Sequence, residues 1–211
     1  MATRLRTAHT ADLAPAELHA VRAFLDDAFG GDFGDEDWDH GLGGIHALVH
    51  DDKGLAGHGS VIQRRVLHRG RSLRVGYVEA VGVRADVRRR GLGGRVMAAL
   101  ERVIEGSYTL GALSASEEGG PLYAARGWQR WPGRICALGP GGVVRLPEEE
   151  GSTFVRPVVT AVTPGSPCTA PSTRPTSWSS TGGRGTCSDR HPAGPPQGPV
   201  PSGPSALVRL G

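Results

Sequence analysis

The sequence lacks any run of about 18 apolar residues, and its N-terminus shows no basic region followed by an apolar stretch, so neither membrane insertion nor secretion is expected. A soluble, cytoplasmic protein is the expectation. Cysteine is scarce. Cys136, Cys168 and Cys187 are odd in number and far apart, which argues against a disulfide framework or a zinc site and for reduced thiols. The first 158 residues also lack net charge: four arginines and one aspartate from Val159 onward carry the whole formal charge of +3. That removes the charge argument for nucleic-acid binding by the folded part. His46 and His50 sit four apart, but in a strand-like run without a further ligand set, so no metal site is expected.

What is present fits one buried domain and a tail. A chain of 211 residues holds one core comfortably. Composition breaks near Pro157 to Pro164, and ten of the sixteen prolines lie beyond Val159 among Gly, Ser and Thr. Residues 159–211 therefore read as a disordered tail behind a domain of residues 1–158. Within that domain, mixed three- and four-residue apolar spacing predicts a helix from Pro15 to Phe29. Gly44 to Val49 and Gly57 to Leu67 read as a hairpin, Leu73 to Val83 as a long strand, and Gly91 to Ile104 as a helix with one apolar stripe. A strand from Tyr108 to Ser114 and a short helix near Leu122 to Arg126 follow. The order predicts a mixed α/β sheet with a central right-handed crossover.

The sharpest local feature is the turn from Arg88 to Gly94. It joins the VEAVGV strand to a helix start, where free amides and the helix dipole favour an anion. Its glycines permit close approach of a ligand, and its arginines supply charge-assisted bonds to phosphate oxygens. The R-x-x-G-x-G spacing is neither a Walker loop nor a dinucleotide fingerprint. It does match the acetyl-CoA turn of the GNAT superfamily, against the alternative of a basic helix cap solvated at the surface.

From Ala28 to about Pro157 the chain resembles the aminoglycoside 2'-N-acetyltransferases, through AFGGDFGDEDWDHGLGGIHALV, VIQRRVLHRGRSLRVGYVEAVGVRAD, YTLGALSAS, LYAARGW and PEEEGSTFV. The resemblance implies a GNAT acyltransferase fold, a mostly antiparallel mixed sheet flanked by helices. It implies acetyl transfer from acetyl-CoA to the 2'-amine of an aminoglycoside antibiotic, and hence resistance. Val81, Gly82 and Val83 would pair with the pantetheine arm and polarise the acetyl carbonyl, and Arg88, Arg89, Arg90, Gly91, Leu92 and Gly93 would hold the pyrophosphate. Glu79 fits the general base; the alternative for this lone carboxylate in an apolar strand is an internal ion pair. Tyr123 fits the acid for the leaving thiolate, the alternative being a half-buried packing residue. Asp32, Glu79, Ala80 through its backbone, Ser114, Glu148 and Glu149 would line the pocket for a polycation, with Glu148 and Glu149 replacing aspartates usual in the family. For the acidic run from Asp32 to Asp39, a solvated surface loop is the plainer reading. Neither membrane nor nucleic-acid partners are implied, whereas homodimers are common in the family.

The tail departs from the family, whose members end on a DWRAGDVW-like segment that closes the substrate pocket. Back-translated and read in a shifted frame, Pro171 to Ser188 permits LDTPDELVVDWRAGDV; Trp178, Thr181 and Gly182 supply its Val, Asp and Trp codons. Residues beyond about Val159 thus read as out-of-frame translation of the family's C-terminus, which predicts retained acetyl-CoA binding with weakened or lost aminoglycoside turnover. The alternatives are a GNAT enzyme for another small polyamine, amino sugar or peptide amine, or an impaired acetyl-CoA-binding relic.

Overall fold

The computed structural model describes residues 2–139 and 142–158, together with the backbone of residues 207–210. Among the described residues, ten strands form one sheet. Strand β1 (Arg4–His9) pairs antiparallel with β2 (Ile45–Asp51), which forms a hairpin with β3 (Gly54–His68). Strand β4 (Arg71–Val83) runs antiparallel along the whole length of β3. β5 (Leu110–Ser114) then returns parallel to β4, and β9 (Thr153–Pro157) pairs with β5 on one edge and β6 (Gln129–Arg130) on the other. β7 (Ile135–Gly139) and β8 (Gly142–Arg145) make a second hairpin. β10 (Leu207–Leu210) lies between β3 and β7.

Among the described residues, four helices cover the sheet: α1 (Pro15–Ala28), α2 (Asp35–Gly41), α3 (Leu92–Ser107) and α4 (Gly120–Ala124). They divide between its two faces. A side chain at Gly59 would strike Val96 and Leu100 of α3, whereas one at Gly82 would meet Phe24, Leu25 and Ala28 of α1. Alternation along β3 explains this: Gly57 and Gly59 look toward α3, His58 and Ser60 toward α1 and α2. On the α3 side, Val96, Met97, Leu100 and Ile104 are fully buried with Val61, Leu113 and Trp128. Truncating Leu100 to alanine would cost about 2–5 kcal/mol. On the other side, Leu25, Val21 and Phe24 pack with Leu13, Phe33 and Leu48.

The expected helices and strands are all present, displaced by a few residues at their ends. Three expectations change. The acidic run is not a loop: Asp35–Gly41 is helical, since the Asp37 carboxylate accepts from the Gly34 amide at 2.9 Å and three acidic residues meet the positive end of the helix dipole. Cys136 is disulfide-bonded rather than reduced, because separation along a chain does not set distance in a fold. Leu207–Leu210, inside the expected tail, is a strand. The rest of that tail, with its frame-shift reading, lies outside the described residues.

Candidate active site

The ladder between β4 and β5 covers only Val75 to Val78, paired with Leu110 to Leu113, whereas β4 continues to Val83. Beyond Leu113, β5 leads Ser114 onto Thr153 of β9. Among the described residues, no strand therefore pairs with the β5-facing edge of Glu79–Val83. That edge is a slot open to an extended ligand, which can add its amides as a further strand would.

A β-bulge sits at its mouth. His58 pairs with Gly82 and Ser60 with Glu79, so Ala80 and Val81 oppose Gly59 alone. Ala80 takes a positive φ of 51°, which re-aims the chain at this point. Gly59 leaves the room: a methyl there would sit 2.8 Å from Val96 and 3.2 Å from Val81.

Glu79 lies on the α2 side of the slot. Arg64 Nη2 donates to its Oε1 at 2.5 Å, and the Arg64 guanidinium stacks 4.1 Å from the Tyr77 ring centroid. The internal ion pair given as the alternative for Glu79 is thus present. Burial pushes the Glu79 carboxyl up, Arg64 pulls it back, and Glu149 and Asp37 push it up again, leaving it at about 7. An ion-paired carboxylate poised near neutrality retains the ability to take a proton. Ser114 Oγ donates to Glu149 Oε2 at 2.7 Å and lies 3.0 Å from Ser152 Oγ. Glu149, held by Ser114, and Asp37 both raise the Glu79 carboxyl by like-charge repulsion, so this end of the slot carries a negative field beside hydroxyl groups, the electrostatic complement of a polyamine.

Two residues expected in the pocket stand apart. Glu148 is exposed on the 3-10 turn Pro147–Glu149, and Asp32 is exposed between α1 and α2; neither side chain bonds the cluster among the described residues.

Tyr123 is on the opposite, α3 face, buried against Trp128 and Phe154 at ring distances of 6.4 and 6.0 Å. Burial pushes its phenol up to about 12, so it is protonated at neutral pH. The slot lies between these two faces.

At the far end of the slot the turn has the expected form. Gly91 caps α3 in the left-handed region at φ 79°, and the amides of Leu92, Gly93 and Gly94 precede the first helical bond, from Arg95 N to Gly91 O at 3.1 Å. Leu92 is buried, and Gly93 lies under Leu122 of α4. Arg89 and Arg90 are exposed. Arg88 differs: its guanidinium donates to the Val83 carbonyl at 3.2 Å and to the Ala28 carbonyl at 2.9 Å, fastening the turn to β4 and α1.

Sequence reasoning missed Arg64, His58 and Glu101. For Arg64 a signal existed, since consecutive arginines in a strand point to opposite faces and one of Arg64 and Arg65 must turn inward. Glu101 is buried on α3 and accepts from Arg126 at 2.9 and 2.5 Å and from Trp128 Nε1 at 2.9 Å, with Arg156 at 3.0 Å. It locks α3 to the segment that carries Tyr123.

An open strand edge that ends at a helix start with free amides is an arrangement able to take an extended anionic ligand, and the family that the sequence matches makes the protein an acyltransferase. The comparisons agree. The acetyltransferase (GNAT) domain family matches residues 9–131. The chain is 48% identical over 153 residues to the aminoglycoside 2'-N-acetyltransferase of Mycolicibacterium fortuitum, covering 72% of this chain and 78% of that protein. Escherichia coli ElaA superposes with a TM-score of 0.52 at 14% identity, covering 74% of this chain and 99% of that one. A conserved Enterococcus faecalis V583 protein does so with a TM-score of 0.52 at 13% identity, covering 64% of this chain and only 34% of that one. At such identities the solved structures speak for the fold alone. The chain belongs to the GNAT acetyltransferases, and among them to the family of the aminoglycoside 2'-N-acetyltransferases.

Proposed function

We propose that this protein transfers the acetyl group of acetyl-CoA to the 2'-amine of an aminoglycoside. The observation that carries the reading is the acidic cluster of Glu79, Ser114 and Glu149 at the mouth of the unpaired β4 edge. Acetyl-CoA lies along Val81, Gly82 and Val83, with its pyrophosphate on the amides of the Gly91–Gly93 turn and the guanidinium groups of Arg89 and Arg90. No step calls for a metal.

The incoming amine arrives protonated and must lose its proton before it can attack. Glu79 takes that proton, the amine nitrogen bonds to the thioester carbon, and the carbonyl becomes an oxyanion held by the Val81 backbone amide. The carbon–sulfur bond then breaks. Tyr123, which burial keeps protonated at neutral pH, gives its proton to the departing thiolate and recovers one from the acylated nitrogen, which sheds its second proton to become the neutral amide; burial makes the phenol the weaker acid, so collapse of the intermediate drives the transfer.

A thiol-release assay with acetyl-CoA and paired aminoglycosides tests the specificity. Release is expected with those bearing a 2'-amine and none with those bearing a 2'-hydroxyl. Equal release with both would overturn the 2' assignment.

A further inference from the structure

His46 and His58 are 0% and 1% exposed, and the chemistry above uses neither. They are links in one chain of hydrogen bonds. Thr10 Oγ1 lies 2.8 Å from His46 Nε2, His46 Nδ1 lies 2.9 Å from His58 Nε2, and His58 Nδ1 lies 3.0 Å from the carbonyl oxygen of Ala80. The direction of the chain is forced. A carbonyl only accepts, so His58 carries its proton on Nδ1; a neutral imidazole has one N–H, so His58 Nε2 accepts from His46 Nδ1. His46 Nε2 then accepts from the Thr10 hydroxyl at 2.8 Å, a shorter contact than the one from the same hydroxyl to the Gly44 carbonyl at 3.3 Å, and the Gly43 amide anchors the hydroxyl oxygen at 2.8 Å. Burial holds both rings neutral, His46 at about 4 and His58 at about 3.

The chain ends on the bulge. Where two residues of β4 oppose one of β3, the ladder cannot pair every backbone group, and a buried carbonyl without a partner is costly. At the bulge, His58 supplies a side-chain partner to the carbonyl of half-buried Ala80, in the segment that joins Glu79 to Val81. Two buried rings with every polar atom matched specify one backbone geometry far more sharply than apolar packing would.

We propose that His58, aligned by His46 and Thr10, is a positioning residue for acetyl transfer: its Nδ1–H fixes the Ala80 carbonyl and thereby the Glu79–Val81 backbone at the mouth of the slot. This rests on the acetyltransferase reading, and the test separates the two. Full-length wild type, His58→Asn, His58→Gln and His58→Leu are compared for kcat, KM, acetyl-CoA Kd and thermal unfolding. Asparagine places an amide nitrogen near the position of Nδ1, glutamine one near that of Nε2. His58→Asn is expected to keep kcat and acetyl-CoA Kd within about threefold, while His58→Gln and His58→Leu lose kcat on the order of tenfold to a hundredfold and bind acetyl-CoA more weakly than His58→Asn does. A packing role would instead make kcat follow the unfolding temperature, whichever nitrogen is mimicked. Long-range ¹H–¹⁵N spectra of wild type are expected to show both rings as Nδ1–H tautomers.

A folded His58→Leu with wild-type kcat, or a His58 Nε2–H tautomer, overturns the proposal. If wild type acetylates no amine, the acetyltransferase reading fails, and the spectra and Kd then decide. Nδ1–H rings with a Kd weakened in His58→Leu and restored in His58→Asn support the positioning role, and an unchanged Kd overturns it. Should His58→Leu fail to fold, the Asn and Gln pair gives the same discrimination.

Discussion

Arg64 and Glu79 are joined at 2.5 Å across the β3–β4 ladder, one end of the pair buried against Tyr77 and the other facing the slot. The pair sets the protonation of the base. Burial raises the Glu79 carboxyl and Arg64 opposes the rise, leaving it at about 7. The acid limb of kcat/KM should therefore fall near pH 7. Arg64→Met removes the opposing charge, and the limb should move to higher pH by about 1–3 units, the usual effect of an adjacent opposite charge. Activity lost at pH 7 should then return at pH 9. A pH–rate profile checks this, and a limb that stays in place would separate Glu79 from the chemistry.

The three arginines of the turn should divide. Arg89 and Arg90 are exposed, so alanine at either should weaken acetyl-CoA binding by about tenfold without moving the unfolding temperature. Arg88 donates to Ala28 O and Val83 O, so Arg88→Ala should also lower the unfolding temperature, by a few degrees for about 1–2 kcal/mol. Calorimetric titration with acetyl-CoA beside thermal melts distinguishes the two kinds.

These residues also mark what a sequence makes legible. The turn could be read because everything it needs is local: the Gly91 conformation, the free amides and the arginines lie within one stretch. Glu79 stood out for a similar reason, being a lone charge in an apolar strand. Its pairing did not: the Arg64–Arg65 doublet marked an inward arginine, but Arg64 is fifteen residues away and only strand register brings it to Glu79. Glu101 with Arg126, Trp128 and Arg156 was invisible on the same ground. The helix Asp35–Gly41 escaped because seven residues are too few for a periodic signal, and β1 because a short strand offers too few alternations.

The acidic cluster predicts a charge-specific defect. Glu149 is held by Ser114 at 2.7 Å and raises the Glu79 carboxyl through like-charge repulsion. Glu149→Gln removes an attraction for a polycation worth about 1 kcal/mol, so KM for the aminoglycoside should rise roughly fivefold at low salt and less at high salt. The same change relieves Glu79, so the acid limb should move to lower pH, opposite to Arg64→Met. Glu148→Gln should do neither to the same extent, since Glu148 is exposed and makes no bond to the cluster among the described residues. Steady-state kinetics at two ionic strengths would expose a failure, namely equal effects of the two substitutions.

Stability should also respond to mild acid, and the sign follows from three buried groups. His46 and His58 titrate at about 4 and about 3 in the fold, below the 6.5 of a free histidine, so the unfolded chain binds more protons and stability is lost as pH falls below 6.5. Glu79 works the other way. Its folded value of about 7 lies above the ordinary 4.5, so its contribution is lost as pH rises from 4.5 to 7. Two histidines oppose one glutamate between pH 4.5 and 6.5, and each proton of difference gives a slope of about 1.4 kcal/mol per pH unit. The net is one proton in favour of the histidines. Urea denaturation should therefore show stability increasing from pH 5 to pH 6.5 by about 1.5 kcal/mol, the slope flattening near 6.5 where the unfolded histidines are half protonated. In Glu79→Gln the opposing group is gone, so the same interval should show a steeper increase. A flat or inverted dependence would mean that the two rings are not held neutral in the fold, and the Thr10–His46–His58–Ala80 chain could not then run in the one direction its tautomers require.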